Sequence, residues 1–122
     1  MKIRIKGNSI RLRLSKSEAA LFALKGYLEE RTDFGDSAFI YAVGSTEDEN
    51  MSASFTMGNI IVHIPQHLLN QWATTNLVSL DYTMPLGDNK SLYILLEKDF
   101  KCIDAVVTED QSDYFENPAK SC

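Results

Sequence analysis

Apolar and polar positions alternate along much of this chain, and the alternation recurs in two stretches about fifty residues apart. Ile3 and Ile5 alternate with Lys2, Arg4 and Lys6; beyond Gly7-Asn8 the parity reverses, with Ile10, Leu12 and Leu14 apolar and Arg11 and Arg13 polar. Side chains on a strand have period two, so a parity switch at a glycine marks a hairpin or a bulge. Glycine at the first central position suits a type II′ turn, and the hairpin is the favoured reading. The second stretch has the same order, with Gly58-Asn59 leading into Ile60-Ile61-Val62-His63-Ile64.

Each alternating run is followed by a short helical pattern. Ser15-Lys16-Ser17-Glu18 has the form of a capping box, in which a serine hydroxyl and a glutamate carboxylate exchange bonds with each other's backbone N–H. The helix is expected to turn Ala20, Leu21, Leu24 and Phe22 to the core, and Gly26 offers a left-handed stop. In the second copy Pro65 is expected at the first helical position, with Leu68, Leu69 and Trp72 as the apolar face. Tyr27 to Asp33 could extend the first helix, but its counterpart Leu77-Val78-Ser79-Leu80-Asp81-Tyr82-Thr83 is β-branched, aromatic and alternating. That composition argues for a strand in both places. Gly35-Asp36 and Gly87-Asp88 then close hairpins to strands at 37–44 and 89–97.

The pattern predicts a β-rich α+β fold: two pseudo-symmetric strand–short helix–β-hairpin repeats forming a barrel-like or two-sheet domain, plus a C-terminal tail. The repeats are expected at 1–44 and 51–98, joined by a polar linker at 45–50, as one domain over 1–98. A length of 122 residues suits one domain with its own core. A hydrophobic content of 44% argues against disorder over most of that length. A duplicated half can make within one chain the interface that a dimer makes between two, which favours a monomer over a homodimer.

Charge changes the picture. Residues 1–32 hold eight Lys or Arg against three acids, while the rest hold four against fourteen, giving +5 and −10 and a net −5. A basic face is the mark of a nucleic-acid binder, so Lys2, Arg4, Lys6, Arg11 and Arg13 are candidate phosphate contacts. The structural alternative is that these cations are the solvated faces of two strands, which also discourages edge-to-edge association.

The tail at 99–122 has no counterpart in the first copy. It holds both cysteines and six acids. Its apolar residues Phe100, Ile103, Val106, Val107, Tyr114 and Phe115 are expected to pack it on the domain. Cys102, Glu109, Asp110, Asp113 and Cys122 offer thiolate and carboxylate ligands for a metal, with His63 or His67 as further donors. There is no CxxC pair, and the acids lack the glycine and terminal Glu of a calcium loop, so a solvated acidic loop is the competing reading. A Cys102–Cys122 disulfide is a further alternative to two free thiols. Beyond a tail-bound metal, no cofactor is expected.

No G-x-S-x-G elbow, Walker loop or H-E-x-x-H is present. His63 takes the outward position that Arg13 has in the first copy, and His67 falls in a helical first turn. A non-enzymatic binding or regulatory module is therefore expected, with DNA or a protein as partner; the alternative is a metal-binding protein or enzyme that uses the Cys, Asp and Glu residues of the tail. A third expectation is that the acidic tail competes with nucleic acid for the basic hairpin. No apolar run approaches the roughly 18 residues of a membrane span, and the opening MKIRIKGNSIRLRL has no continuous apolar stretch of a signal peptide. A cytoplasmic protein is expected.

The string K-G-N-S-I-R-L-R-L-S-K-S-E resembles the opening of the swapped-hairpin DNA-binding domains of bacterial antitoxins and transition-state regulators. His63-Ile64-Pro65 is the nearer match at the helix start. The resemblance implies one barrel built by exchange of hairpins between two chains, with Lys2, Arg4, Lys6, Arg11 and Arg13 contacting phosphates. The second copy departs from it in having no Lys or Arg between Met51 and Gln66. The whole chain is similar to a family of short bacterial proteins of unknown function, mostly from the Bacteroidetes group. The matching parts are KIRIKGNSIRLRL at the start and DFKC…EDQSDYFENP…C at the end. Glu116 before Asn117-Pro118 and Ala105-Val106-Val107 depart from that pattern. This likeness implies a bacterial cytosolic protein and no particular activity.

Overall fold

A computed structural model describes residues 1–100 together with Asp113 and Phe115. Eight strands and two helices follow one another as β1 (Lys2–Ile5), β2 (Ser9–Leu14), α1 (Lys16–Lys25), β3 (Tyr27–Asp33), β4 (Ala38–Thr46), β5 (Ser52–Thr56), β6 (Asn59–Pro65), α2 (Gln66–Thr74), β7 (Ser79–Gly87) and β8 (Lys90–Lys98). The strands form two four-stranded sheets, ordered β1-β2-β8-β7 and β3-β4-β6-β5. The fold is β-rich α+β.

Each sheet joins a hairpin from the first half of the chain to a hairpin from the second. β2 runs parallel to β8, with Ile10 opposite Ile94 and Leu12 opposite Leu96. β4 runs parallel to β6, with Tyr41 opposite Ile60 and Val43 opposite Val62. Positions fifty residues apart take corresponding places: Ile3 pairs with Leu12 and Ile5 with Ile10, as Ala53 pairs with Val62 and Phe55 with Ile60. The β1–β2 turn has the positive φ at Gly7 that a type II′ turn needs, without one at Asn8. Met57 and Gly58 both have positive φ, as do Asp88 and Asn89, so those two hairpins close with the type I′ pattern. Gly87 lies just before its turn, beside a register shift.

The two helices lie at the end of the sheets opposite the four hairpin turns. α1 starts with the capping box read from the sequence: Ser15 Oγ accepts from the Glu18 N–H at 3.3 Å, and Glu18 Oε1 accepts from the Ser15 N–H at 2.8 Å. It stops at Gly26, whose φ is +74°. A Cβ there would lie 2.8 Å from Ser45 Oγ and displace that hydroxyl, but it is the left-handed conformation that requires glycine.

Which face of α1 turns inward differs from expectation. Ala19 and Phe22 are buried, whereas Leu24 is 81% exposed and Ala20 and Leu21 also lie outside. Apolar residues surround this helix, so periodicity does not single out one face. The sheets select Phe22 for its area, with small Ala19 and Ala23 on the same side permitting close approach. In α2, Leu69 and Trp72 are fully buried and Leu68 packs at the margin, as expected. The Trp72 Nε1–H donates to the Val78 carbonyl at 3.0 Å, satisfying its polar atom.

Two boundaries shift. Pro65 is the N-cap, extended with φ −55° and ψ 135°, rather than the first helical residue; it still pairs in the β4–β6 ladder opposite Thr46. That pairing carries β4 through Ser45 and Thr46, into the expected linker. The apolar-anchor reading fails for two tail residues, because Phe100 is 63% exposed and Phe115 fully exposed.

Glu18 also accepts from the Met1 amine, which lies 3.1 Å from Glu30 Oε1. Burial pushes the Glu18 carboxyl up, but hydrogen bonds from the amine and from Ser15 outweigh it and hold it below its ordinary value. A lowered carboxyl stabilises the fold fully above its unfolded value and loses that contribution as pH falls through the folded one. Glu18→Gln should therefore lower the thermal midpoint at pH 7, with the difference from the native chain shrinking as pH falls below the ordinary value of 4.5 and vanishing only below the lowered folded value. A pH-independent difference would contradict the assignment. Phe22→Ala should cost about 3–5 kcal/mol in denaturant unfolding, while Leu24→Ala should stay within about 0.5 kcal/mol. The reverse ranking would return the buried face to Leu24.

Candidate polyanion interface and apolar recess

The candidate cations gather on one surface. Lys2, Arg4 and Lys6 share the outward parity of β1, and Arg11 and Arg13 that of β2, because the inward positions are taken by Ile3, Ile10, Leu12 and Leu14. The antiparallel register sets Lys2 opposite Arg13 and Arg4 opposite Arg11. Lys6 stands at the turn, where its carbonyl accepts from the Ser9 hydroxyl at 2.6 Å. The five cations thus form a stripe along an edge hairpin. It is about 13 Å long, from a rise of ~3.3 Å per residue. Like charges directly opposite on paired strands repel.

The neighbouring strand answers half of this stripe. β8 places Glu97 opposite Arg13, and Glu97 Oε1 accepts from Arg13 Nη2 at 2.8 Å and from Nε at 3.0 Å. Two residues on, Asp99 reaches across β2 to Lys2, with Nζ to Oδ2 at 3.0 Å. These pairs are exposed and individually weak, yet they neutralise the helix end of the stripe. Among the described residues no carboxylate comes within ion-pair distance of Arg4, Lys6 or Arg11. Beside them on β8, the Tyr93 hydroxyl donates to Asp81 at 2.9 Å. Burial first, and then that bond, holds it above its ordinary value, so it stays a neutral donor.

Sequence reasoning found the five cations but missed Asp81, Tyr93, Glu97 and Asp99 as their neighbours. The alternation of β8 marks Tyr93 and Glu97 as outward. No local signal pairs β8 with β2, more than eighty residues away.

A second feature opens at the turn end, where no helix covers the gap between the sheets. An apolar recess of about 430 Å³ lies there. Its walls include three corresponding pairs: Ile5 with Phe55, Ile10 with Ile60, and Phe39 with Leu92. Its polar margin is already bonded, since the Asn8 side-chain amide donates to the Ser91 carbonyl and Ser9 to the Lys6 carbonyl. Ile5 and Phe55 remain 55% and 71% exposed.

Cys102, Glu109, Asp110 and Cys122 of the expected metal site lie outside the described residues, and Asp113 is exposed. Among the described residues no three His, Cys, Asp or Glu side chains gather as metal ligands. His63 is half-buried on β6 and His67 is exposed in the first turn of α2. No helix among the described residues is long and apolar enough to cross a membrane.

Comparison with known proteins places the chain in a family. The sequence model of DUF7009, a family of unknown function, matches residues 1–119, and the chain belongs to that family. No curated protein matches it.

The repulsion within the stripe has a measurable consequence. Arg4→Thr removes one like-charged cross-strand pair and adds a better strand former. It should raise stability by up to about 1 kcal/mol, seen as a thermal midpoint higher by a few degrees. A lower midpoint would show that the Arg4 stem packs on the hairpin more than its charge repels.

Proposed function

We propose, for this member of a family of unknown function, that the chain is a small non-enzymatic binding module whose basic N-terminal hairpin contacts nucleic acid. The observation that carries this reading is the register of β1 on β2, which lines up Lys2, Arg4, Lys6, Arg11 and Arg13 on one outward face. Two cross-strand pairs of like charge weaken a free hairpin, and phosphates laid between them would relieve that repulsion. The stripe's length of about 13 Å equals about four base-pair rises of DNA, enough for a few phosphates and too little for an extended footprint. Cations on a strand pair also give affinity without base readout, so contact is expected with the backbone more than with sequence.

The exchanged hairpins support the same reading. They are the arrangement that the swapped-hairpin resemblance implies between two chains, and here each sheet takes one hairpin from each half of a single chain. The correspondence of positions fifty residues apart supports reading 1–44 and 51–98 as a duplication within one domain and favours a monomer. Only one copy kept its cations, so the module would present one binding face where a symmetric dimer presents two. We place it in the bacterial cytoplasm on the same grounds.

A mobility shift on short duplex DNA at low salt tests the function. The native chain should bind with an affinity that falls as salt rises, with a slope of log K against log salt near −0.9 per phosphate neutralised. Arg4→Glu combined with Arg11→Glu should weaken binding at least tenfold and flatten that slope. An absence of any shift at low salt, or a shift indifferent to both substitutions, would refute the proposal.

A further inference from the structure

The two ends of the fold differ in what occupies the gap between the sheets. At the helix end Phe22 and Trp72, both fully buried, take corresponding positions in the two halves and fill it. At the turn end no described side chain does so, and about 430 Å³ stays open. Three strands of each sheet wall this recess: β1, β2 and β8 through Ile5, Ile10 and Leu92, and β4, β5 and β6 through Phe39, Phe55 and Ile60. Its volume falls within the ~300–1,000 Å³ that small-molecule sites occupy. Ile5 and Phe55 leave more than half their surface in water, and contiguous apolar surface of that kind marks a place of contact.

We propose that this recess binds a small aromatic acid, with its ring system between the sheets and its carboxylate or sulfonate at the mouth, beside Lys6. Bulk supplies the first reason: aromatic rings fill the corresponding gap at the helix end, and a ring system of similar bulk closes this one. The walls supply the second, because Phe39 and Phe55 on one sheet offer ring contacts opposite the aliphatic Ile5, Ile10 and Leu92 of the other. The polar lining supplies the third. The Asn8 amide already donates to the Ser91 carbonyl, and the Ser9 hydroxyl to the Lys6 carbonyl, so the body of the ligand needs no directed bond of its own. Charge supplies the fourth. Lys6 lies between the lining residues Ile5 and Gly7, and among the described residues no carboxylate is within ion-pair distance of it. Its ammonium, on a flexible stem, meets an anion at the mouth and repels a cation. The site does not rest on the nucleic-acid reading, although both use Lys6.

Two probes that share a ring system test the site on the full chain: anilinonaphthalene sulfonate, and phenylnaphthylamine, which lacks the sulfonate. The sulfonate should bind saturably, one molecule per chain, and shift the NMR signals of Ile5, Ile10, Phe39, Phe55, Ile60 and Leu92. Lys6→Gln should weaken it about threefold to fivefold, as one exposed ion pair allows, and leave phenylnaphthylamine unaffected. Phe55→Ser should weaken both probes about tenfold by removing one apolar wall. Ala53→Leu, which fills the recess from within, should also weaken both and serves if the first variant folds poorly. No saturable binding of either probe, or shifts confined to residues outside the recess, would overturn the proposal. Sulfonate binding indifferent to Lys6→Gln would overturn the assignment to an acid. A dimer joined through Ile5 and Phe55 that dissociates as probe is added would overturn it in favour of a second copy of the chain. None of these outcomes depends on DNA binding, which the Arg4 and Arg11 substitutions test separately.

Discussion

Everything in this fold depends on two parallel strand pairs that join the halves of the chain, one between strands near in sequence (Ile40 opposite Asn59) and one between strands near its two ends (Arg13 opposite Glu97). Among the described residues, β2 against β8 and β4 against β6 are the only strand pairings between the hairpins within each sheet. Without them the described strands reduce to four separate hairpins, and an isolated hairpin is marginal in water. Parallel pairing requires a long connection, and for β2 against β8 it is most of the molecule: Arg13 and Glu97 meet at a separation of 84 residues. The entropy of closing so long a loop comes due before any of its contacts form. The core is what offsets it. Leu12, Leu14, Ile94 and Leu96 on one sheet and Val43, Val62 and Ile64 on the other are buried almost completely. That burial exists only once both exchanged pairings are made.

The same exchange gives the molecule two unlike ends. Both helices follow the strands that enter the parallel joints, so both fall at one end, where Phe22 and Trp72 occupy corresponding positions and close the gap between the sheets. The turn end receives four tight hairpins and no helix. Hairpin turns of two residues bring few side chains, and the space beneath them stays open as the apolar recess. A closed end and an open end are thus consequences of connectivity, independent of any ligand.

Local signals in the sequence were legible where a single segment decides the outcome. The Ser15–Glu18 capping box, the left-handed Gly26, the strand character of Tyr27–Asp33 and the turn at Gly7 are each fixed by residues within a few positions of one another. The face of α1 was not legible, because Ala19, Ala20, Leu21, Phe22, Ala23 and Leu24 form an unbroken apolar run. The choice among them is made by sheets contributed from elsewhere. Pro65 was misplaced by one residue for a similar reason: its extended backbone is held by Thr46 across a parallel ladder. The five cations could be found from parity alone. Their neighbours Glu97 and Asp99 could not, since nothing near residue 97 points to residue 13.

That last pairing explains why a chain so uneven in charge does not carry the unevenness intact onto its surface. Had each half formed its own sheet, the +3 of residues 1–44 (eight bases, five acids) would stand apart from the −8 of residues 45–122 (four bases, twelve acids). Exchange places the most basic hairpin directly beside β8, the strand that leads into the acidic C-terminal segment. Carboxylates then stand on the same sheet as the cations, and repulsion between Lys2 and Arg13 is answered within the fold. The answer runs out partway along the stripe, because β8 turns its outward positions from Glu97 to Leu95 and Tyr93 as it approaches the turn end. The surface is therefore graded, compensated near the helices and cationic toward the turn. The uncompensated charge stands at Arg4, Arg11 and Lys6, among the described residues.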